Sequence, residues 1–389
     1  MEIIDTERVP LYVFTDPDNL EEDCLQQARN MSNLAPAWHH TALMPDAHIG
    51  YGMPIGGVLA LENAICPNAV GVDIGCGMAY VSSKLPASKA DKERLSQFTG
   101  QVMRAVPMGF KVHSNVQAGS GFIDKGLLPK ELHDEVDRAR KSLGTLGGGN
   151  HFIDVLKTEE GKVSLMIHTG SRHFGYAIAE HFHGKAKEQC RERGIELPDR
   201  DLAYLDTETK EAQDYIKVMQ LAMKFARENR RRILEIAQKV FAKVFGEVEY
   251  GEHLDAHHNY ASLEEHFGKK VWVHRKGAIR ARKGEAVIVP GSLGTNSYIG
   301  TGLGNPNSFM SCAHGAGRTM GRNEAKRKYT VQEVMEDIEE RGVVLGKANK
   351  KDIPEESPWA YKDIESVVED QKELARMEVT LTPLAVVIA

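Results

Sequence analysis

The sequence of 389 residues contains no CxxC pair, and its five cysteines (Cys24, Cys66, Cys76, Cys190, Cys312) are odd in number and scattered. That pattern excludes a disulfide framework and fits a reducing compartment. No apolar run is long enough to cross a bilayer, and Met1-Glu2-Ile3-Ile4-Asp5-Thr6-Glu7-Arg8 lacks signal-peptide architecture. An excess of positive charge is missing too. The net charge of −6 excludes bulk attraction to nucleic acid, although a local basic groove is compatible with it. There is no internal repeat, low-complexity tract or linker. What remains is ordinary globular composition, 41% apolar and 27% charged, in a chain long enough to bury a large core. The expectation is a cytoplasmic monomer with no membrane attachment, folded as a single domain over 1–389.

Periodicity supplies the elements. Leu11-Tyr12-Val13-Phe14 reads as a strand, and Asp16-Pro17 opens a helix with Leu20, Cys24, Ala28 and Met31 at helical spacing. Residues 41–85 are glycine-punctuated apolar pieces suited to buried strands joined by tight turns. Helices are expected over 88–105, near 129–142 and through 177–193, and a strand over 163–168 ends on His168. A long helical, charged segment near 207–246 has Ile216, Met219, Met223, Ile233, Ile236, Val240 and Val244 on one stripe, which predicts an exposed helix or hairpin bracing the core. Strands return at Val271-Trp272-Val273 and Ala286-Val287-Ile288-Val289. Glycine-rich loops are expected over 291–317, a capping box at Thr330-Val331-Gln332-Glu333, and a final helix from Asp363 to Val379.

Chemistry-bearing side chains recur beside glycine or at strand ends. Gly71-Val72-Asp73-Ile74-Gly75-Cys76-Gly77 places a carboxylate and a thiol three residues apart. His151 follows Gly149-Asn150, His168 precedes Thr169-Gly170, and His257-His258 precedes Asn259. A thiolate, a carboxylate and three histidines suffice for two divalent ions sharing a bridging sulfur, an arrangement suited to phosphate chemistry. By ligand softness and affinity order such a site would hold zinc. His314, in Ser311-Cys312-Ala313-His314-Gly315-Ala316-Gly317-Arg318, is mounted as a covalent nucleophile would be beside a phosphate-binding cation. Pro290-Gly291-Ser292-Leu293-Gly294 is either a nucleotide-cradling turn or an ordinary one. The run Arg275 to Lys283 is the best nucleic-acid candidate, against the common case of solvated surface charge. His113, His133, His181, His183, His253 and His266 lie in charged or helical surroundings and are read as structural.

These segments, with Arg275-Lys276-Gly277-Ala278 and Ala360-Tyr361-Lys362-Asp363-Ile364, occur in the order found in the RtcB family of RNA-splicing ligases, which the chain resembles over nearly its whole length. The resemblance implies an α+β fold with mixed sheets flanked by helices around one deep cleft. It implies a GTP- and Mn²⁺-dependent ligase that joins an RNA 3′-phosphate or 2′,3′-cyclic phosphate to a 5′-hydroxyl. In that chemistry His314 would carry GMP and pass it to the RNA 3′-phosphate, from which the 5′-hydroxyl would displace it. Asp73, Cys76 and His151 would hold one metal ion, and Cys76, His168 and His258 the other. The segment Asn150, His151, Phe152, Ile153, Asp154 would line the guanylate site. So would His258, Asn259, Pro290, Gly291, Ser292, Leu293, Ser297, Gly315, Ala316, Gly317 and Tyr361. Arg172, Lys276 and Arg318 match phosphate- and RNA-contacting positions. The family implies manganese where ligand softness favours zinc, so Zn²⁺ is expected to occupy the same donors.

The chain departs from the family pattern in three places. Asp154 stands where a glutamate is usual, the chain ends in Leu384 to Ala389 without a terminal lysine, and residues 110–135 differ. A specialised paralogue is expected. A two-metal phosphoesterase acting on RNA ends without nucleotide transfer is the alternative, and a non-catalytic RNA-end-binding protein a third reading.

Overall fold

The computed structural model describes residues 1–389 except position 348. Two sheets carry the architecture. The six-stranded sheet runs, in spatial order, Glu2–Ile4, Leu11–Val13, Ala37–Tyr51, Met53–Leu61, Lys269–Lys276 and Asn259–His266. The eight-stranded sheet runs Tyr250–His257, Gly77–Pro86, Lys162–Thr169, Phe152–Thr158, Ala375–Ile388, Ser297–Gly302 and Ala286–Val289, with Val344–Lys347 parallel to Ala375–Ile388 off that path. Both sheets mix parallel and antiparallel pairs, and helices flank them, so the fold is α+β as expected.

The chain passes from one sheet to the other at a single residue. Tyr250–His257 belongs to the large sheet, Asn259–His266 to the smaller one, and His258 is the joint. Its amide donates to Cys76 O (2.8 Å), just ahead of strand Gly77–Pro86, and its carbonyl accepts from Ala278 N (3.2 Å), at the start of the short strand Ala278–Arg280.

The long segment forms one unbroken helix, Lys210–Phe245, whose 36 residues extend about 54 Å. Thr209 caps it by accepting from Ala212 N, and Gly246 ends it at φ 88°. Of the predicted stripe only Met219 and Ile233 are buried, the rest being half-buried; Tyr215, Phe225, Ala237 and Phe241 are fully covered instead, so the helix is part of the core and not an exposed brace. Burial of each larger side chain contributes roughly 2 kcal/mol. Asn229 and Arg230, in the middle of the helix, are fully buried as well.

Several expectations are corrected. Helix Lys92–Ala105 starts later than predicted because Ala87–Lys89 forms a separate 3-10 turn and Asp91 accepts from Arg94 N as the cap. The 129–142 segment splits into a 3-10 turn, Lys130–Leu132, and a helix, Glu135–Ser142. The helix after His168 begins at Arg172, five residues earlier than predicted. The 291–317 stretch holds two strands: Ser297–Gly302, between neighbouring Ala286–Val289 and distant Ala375–Ile388, and Ser311–Ala313, paired with Ala278–Arg280. The final helix stops at Asp370, and Ala375–Ile388 is a strand in the interior of the large sheet. The Thr330 capping box forms as read from the sequence.

Candidate active site

Register in the large sheet brings the metal-type ligands together. His257 is opposite Gly77, Gly77 opposite Thr169, Met78 opposite His168, and His168 opposite Phe152. Adjacent strands lie about 4.8 Å apart, so His258, Cys76, His168 and His151 emerge as neighbours at one end of the sheet. Cys76 Sγ lies 3.3 Å from His168 Nε2 and 3.5 Å from His151 Nε2. His168 Nε2 is 3.4 Å from His258 Nε2, and His151 Nε2 is 3.2 Å from Asp73 Oδ2. Two overlapping triads result, Cys76/His168/His258 and Asp73/Cys76/His151, each with its donor atoms within 4.8 Å of one another. Cys76 belongs to both, as a bridging ligand must.

The surroundings fix which atoms face the ion position. His151 Nδ1 is 3.0 Å from Leu146 O and His168 Nδ1 is 2.9 Å from Asn150 O, so both rings donate through Nδ1 and present a lone pair at Nε2. Asp73 Oδ1 accepts from Ser171 N (2.8 Å) and Ser171 Oγ (3.1 Å), leaving Oδ2 toward His151. Gly170 makes this approach possible, since a Cβ there would lie 2.3 Å from both Asp73 oxygens. Burial alone would raise the Asp73 carboxyl, but hydrogen bonding and charge from His151, with Arg172 and Ser171, bring it down to about 2. Burial, then the Asp73 charge, pushes the Cys76 thiol well up, and burial and the neighbouring rings hold His168 and His258 well down. Three imidazoles, one carboxylate and a thiol that loses its proton on ligation form a donor set that fits two divalent cations.

One turn of the long helix supports this cluster. Arg230 donates to Gly75 O (2.8 Å) and Thr169 O (3.1 Å), pairs with Asp255 through two bonds of 2.8 Å, and reaches His257 Nδ1 at 3.0 Å. Asn229 accepts from Gly144 N and Thr145 N while donating to Thr145 O, Thr169 Oγ1 and Gly170 O. The loops bearing Cys76 and His168, and the segment leading to His151, are thus held by two consecutive buried side chains. Neither is visible as functional in the sequence, where they fall inside a charged helix.

His314 extends from strand Ser311–Ala313, which pairs with Ala278–Arg280, and its ring centroid is 4.7 Å from that of His258. Asp46, wholly buried, holds it: Oδ2 accepts from His314 N (3.0 Å) and Gly315 N (3.2 Å) and lies 2.6 Å from His314 Nδ1. Nε2 is the ring nitrogen turned away from that carboxylate. Sequence reasoning missed Asp46; the glycine-punctuated stretch around it gives no sign of a partner 268 residues away.

Beside His314 opens a cleft of about 800 Å³, counting its mouth to solvent. Among predicted nucleotide-site residues it is lined by Asn150, Phe152, Asp154, Pro290, Gly291, Ser292, Leu293, His314, Gly315, Ala316, Gly317 and Tyr361, and Arg318 joins them. Val386 and Ile388 complete the wall, opposite Asp154 and Phe152 in register. Asp154 is buried, one of its oxygens has no hydrogen-bond partner, and desolvation raises its carboxyl well above the usual range. An unpaired buried acceptor facing a cleft is a place for a ligand's N–H. His48, unassigned from sequence, also faces the cleft, with Nδ1 2.9 Å from Asp46 O.

Other predicted residues lie elsewhere. Ile153 points into the core behind the sheet. Asn259 spends its side chain on Asp73 O (3.2 Å) and Gly277 N (2.8 Å), and Ser297 Oγ accepts from Gly291 N (3.1 Å), so each braces a loop rather than lining the cleft. Arg318 donates to Tyr361 Oη (3.0 Å) and Glu355 O (2.8 Å), with its guanidinium 4.7 Å over the Tyr361 ring. Arg172, at φ 61°, donates to Thr145 Oγ1 (3.2 Å) and Gly109 O (2.8 Å) near Asp73.

The basic run 275–283 is corrected. Arg275 is fully buried and paired with Glu264, and Arg280 is paired with Glu285. Lys276 is buried and donates to Tyr51 O (2.7 Å) and Met53 O (3.0 Å); desolvation lowers it to about 8. Arg275 and Lys276 are internal struts, whereas Arg282 and Lys283 at the end of the run are exposed, so the run is not one continuous solvent-facing patch.

Comparison with known proteins agrees with this geometry. The family model described as tRNA-splicing ligase RtcB matches residues 27–389. RNA-splicing ligase RtcB of Escherichia coli K12 is 36% identical over 403 aligned residues, covering 98% of this chain and 97% of that protein. The tRNA-splicing ligases RtcB of Pyrobaculum aerophilum and Thermococcus kodakarensis are 34% and 30% identical, covering 98% and 97% of this chain and 95% and 94% of theirs. With the paired triads, the mounted histidine and the adjoining cleft in place, the chain belongs to the RtcB family.

Proposed function

We propose that this protein is a GTP-dependent RNA ligase that joins 3′-phosphate or 2′,3′-cyclic phosphate ends to 5′-hydroxyl ends through a covalent His314–GMP intermediate. The observation that supports it most directly is the placement of His314. Its backbone is held by a buried carboxylate that also lies 2.6 Å from Nδ1, beside the His258 end of the metal-type cluster and on the wall of the adjoining cleft. Manganese is the ion proposed for the two triads, where it would supply positive charge for phosphate oxygens when bound.

The chain's own residues do the following. Asp46 orients the imidazole and balances the charge that appears on it as Nε2 forms a bond to the α-phosphorus of GTP and the bond to pyrophosphate breaks. Asp154, as a carboxylate, accepts the N1–H and N2–H of guanine. The apolar walls at Phe152, Val386 and Ile388 exclude water from the base. A cyclic end is first opened by water at its 2′ P–O bond to give the 3′-phosphate; GMP then moves to the RNA 3′-phosphate and restores His314, and the 5′-hydroxyl displaces GMP as the phosphodiester forms.

Incubation with Mn²⁺ and α-labelled GTP should leave an acid-labile label on the protein that is absent in His314→Ala. Ring opening of a cyclic phosphate with no label from any nucleotide would instead establish the metal-dependent phosphoesterase. Among the described residues no helix is long and apolar enough to cross a membrane.

A further inference from the structure

The segment from Gly109 to Gly119 leaves the body of the protein as an arm tied down by arginines at both ends. Arg172 donates to Gly109 O (2.8 Å) and Arg232 to Ala118 O (2.6 Å). Between them the arm touches the body through His113 N to Lys141 O (3.1 Å) and Gln117 N to Arg140 O (3.2 Å). Its apolar side chains are turned outward: Phe110 is 97% exposed, with Val112 and Val116 also exposed. A single exposed apolar residue needs no explanation, but three on one pinned arm do.

The base of the arm is at the metal-type cluster. Gly109 N donates to Gly147 O (2.8 Å), and Gly147 is packed so closely on the site that a Cβ there would lie 2.8 Å from His151 Nδ1 and 1.6 Å from Arg172 Nη1. Phe110 therefore stands directly outside the loop that carries His151. Lys111 is on the arm beside it, and Arg138 is close enough to Arg172 for the two charges to repel. A fully exposed aromatic side chain followed by Lys111, on an arm rooted next to a candidate phosphate-handling centre, is an arrangement suited to holding single-stranded nucleic acid.

We propose that the arm 109–119 receives the unpaired nucleotides adjoining the phosphorylated 3′ end of the RNA, with Phe110 stacked on a base. The inference rests on the RNA-ligase reading above and adds to it the surface that carries the strand. Stacking on a π-face is tolerant of base identity, so the arm selects for unpaired ends and not for sequence.

The test uses full-length protein and the variants Phe110→Ala, Phe110→Leu and Phe110→Trp. The probe is a single-stranded oligoribonucleotide with a 3′-phosphate and a fluorophore. Its Kd is measured by anisotropy, its KM and kcat in joining to a 5′-hydroxyl oligonucleotide, and label transfer from GTP to His314 without RNA. Phe110→Ala should raise Kd and KM by about 5- to 100-fold. Phe110→Leu should not recover them, Phe110→Trp should, and all three should label as wild type does. An unchanged Kd in Phe110→Ala, or wild-type behaviour of Phe110→Leu, overturns the stacking role. Failure of wild-type protein to take label or join ends overturns the ligase reading instead, and the anisotropy series still decides the arm.

Discussion

Replacing Arg230 with methionine keeps an unbranched apolar stem in the helix interior and removes the guanidinium. Two bonds to Asp255, two to the carbonyls of Gly75 and Thr169, and one to His257 are lost together. Removing one partner of a buried ion pair costs about 3–5 kcal/mol, because the other is left uncompensated. Asp255 retains 19% exposure, which places its share toward the lower end; Gly75 O keeps His257 Nδ1 at 3.0 Å, while the stranded Thr169 carbonyl adds roughly 1 kcal/mol. The expected loss is about 4 kcal/mol, a large fraction of the 5–15 kcal/mol typical of a folded domain. Gly75 precedes Cys76 and Thr169 follows His168, so divalent-metal affinity should fall as well, by about 10- to 100-fold. Denaturant unfolding gives the first quantity and titration calorimetry with Mn²⁺ or Zn²⁺ the second. The double variant Arg230→Met/Asp255→Leu separates them. It should recover most of the stability, since the unpaired charge is gone, but not the metal affinity, since the guanidinium no longer ties the Gly75 and Thr169 carbonyls together. If the double variant also regained metal affinity, or if Arg230→Met never lost it, the claim that Arg230 positions the ligand loops through those carbonyls would be wrong.

Other outcomes follow from the same geometry. Asp46→Asn should slow His314 labelling by about 100-fold or more with little change in GTP affinity, because it acts on imidazole orientation and charge; an unchanged rate would show that the 2.6 Å contact is idle. Burial holds the Asp154 carboxyl well above its ordinary range, whereas guanine's edge needs it ionised, so GTP binding should release a proton. GTP affinity should accordingly strengthen as pH rises toward the raised value, and level off above it. Calorimetry in buffers of different ionisation enthalpy reads that proton, and pH-independent binding without release would contradict the assignment. Cys76→Ser should abolish binding of the second metal ion as well as the first, because the sulfur belongs to both triads; loss of one ion alone would remove the bridge.

Much of the site was legible from sequence because its residues sit in short segments where glycine and strand ends mark them. Cys76, Asp73, His151, His168 and His258 all converge, and His266, read as structural, is bonded to Glu264. What sequence could not supply was set by distant partners. Asp46 is an unremarked carboxylate until His314 is brought to it. Arg275 reads as part of a basic surface run until the neighbouring strand brings Glu264 within reach, and desolvation then makes the pair internal. The helix predicted to Val379 fails for a tertiary reason. Charges continue past Asp370 without a breaker, but Gln371 turns inward to accept from Ala313 N (2.9 Å), and the following residues fill the gap between Phe152–Thr158 and Ser297–Gly302. The β-branched Val386-Val387-Ile388 carried that signal, and even Pro383 is accommodated, at a register shift.

The joint at His258 has a mechanical consequence. A residue that links two sheets and also offers a ring nitrogen to an ion makes occupancy of that position a rivet between them. With the ion in place, sliding of one sheet over the other would stretch bonds to Cys76 and His168, which are anchored on the far side of the joint. Amide exchange in Tyr250–His257 and Asn259–His266 would then slow in concert as the position fills, so the ion that serves the chemistry also stiffens the floor on which it happens.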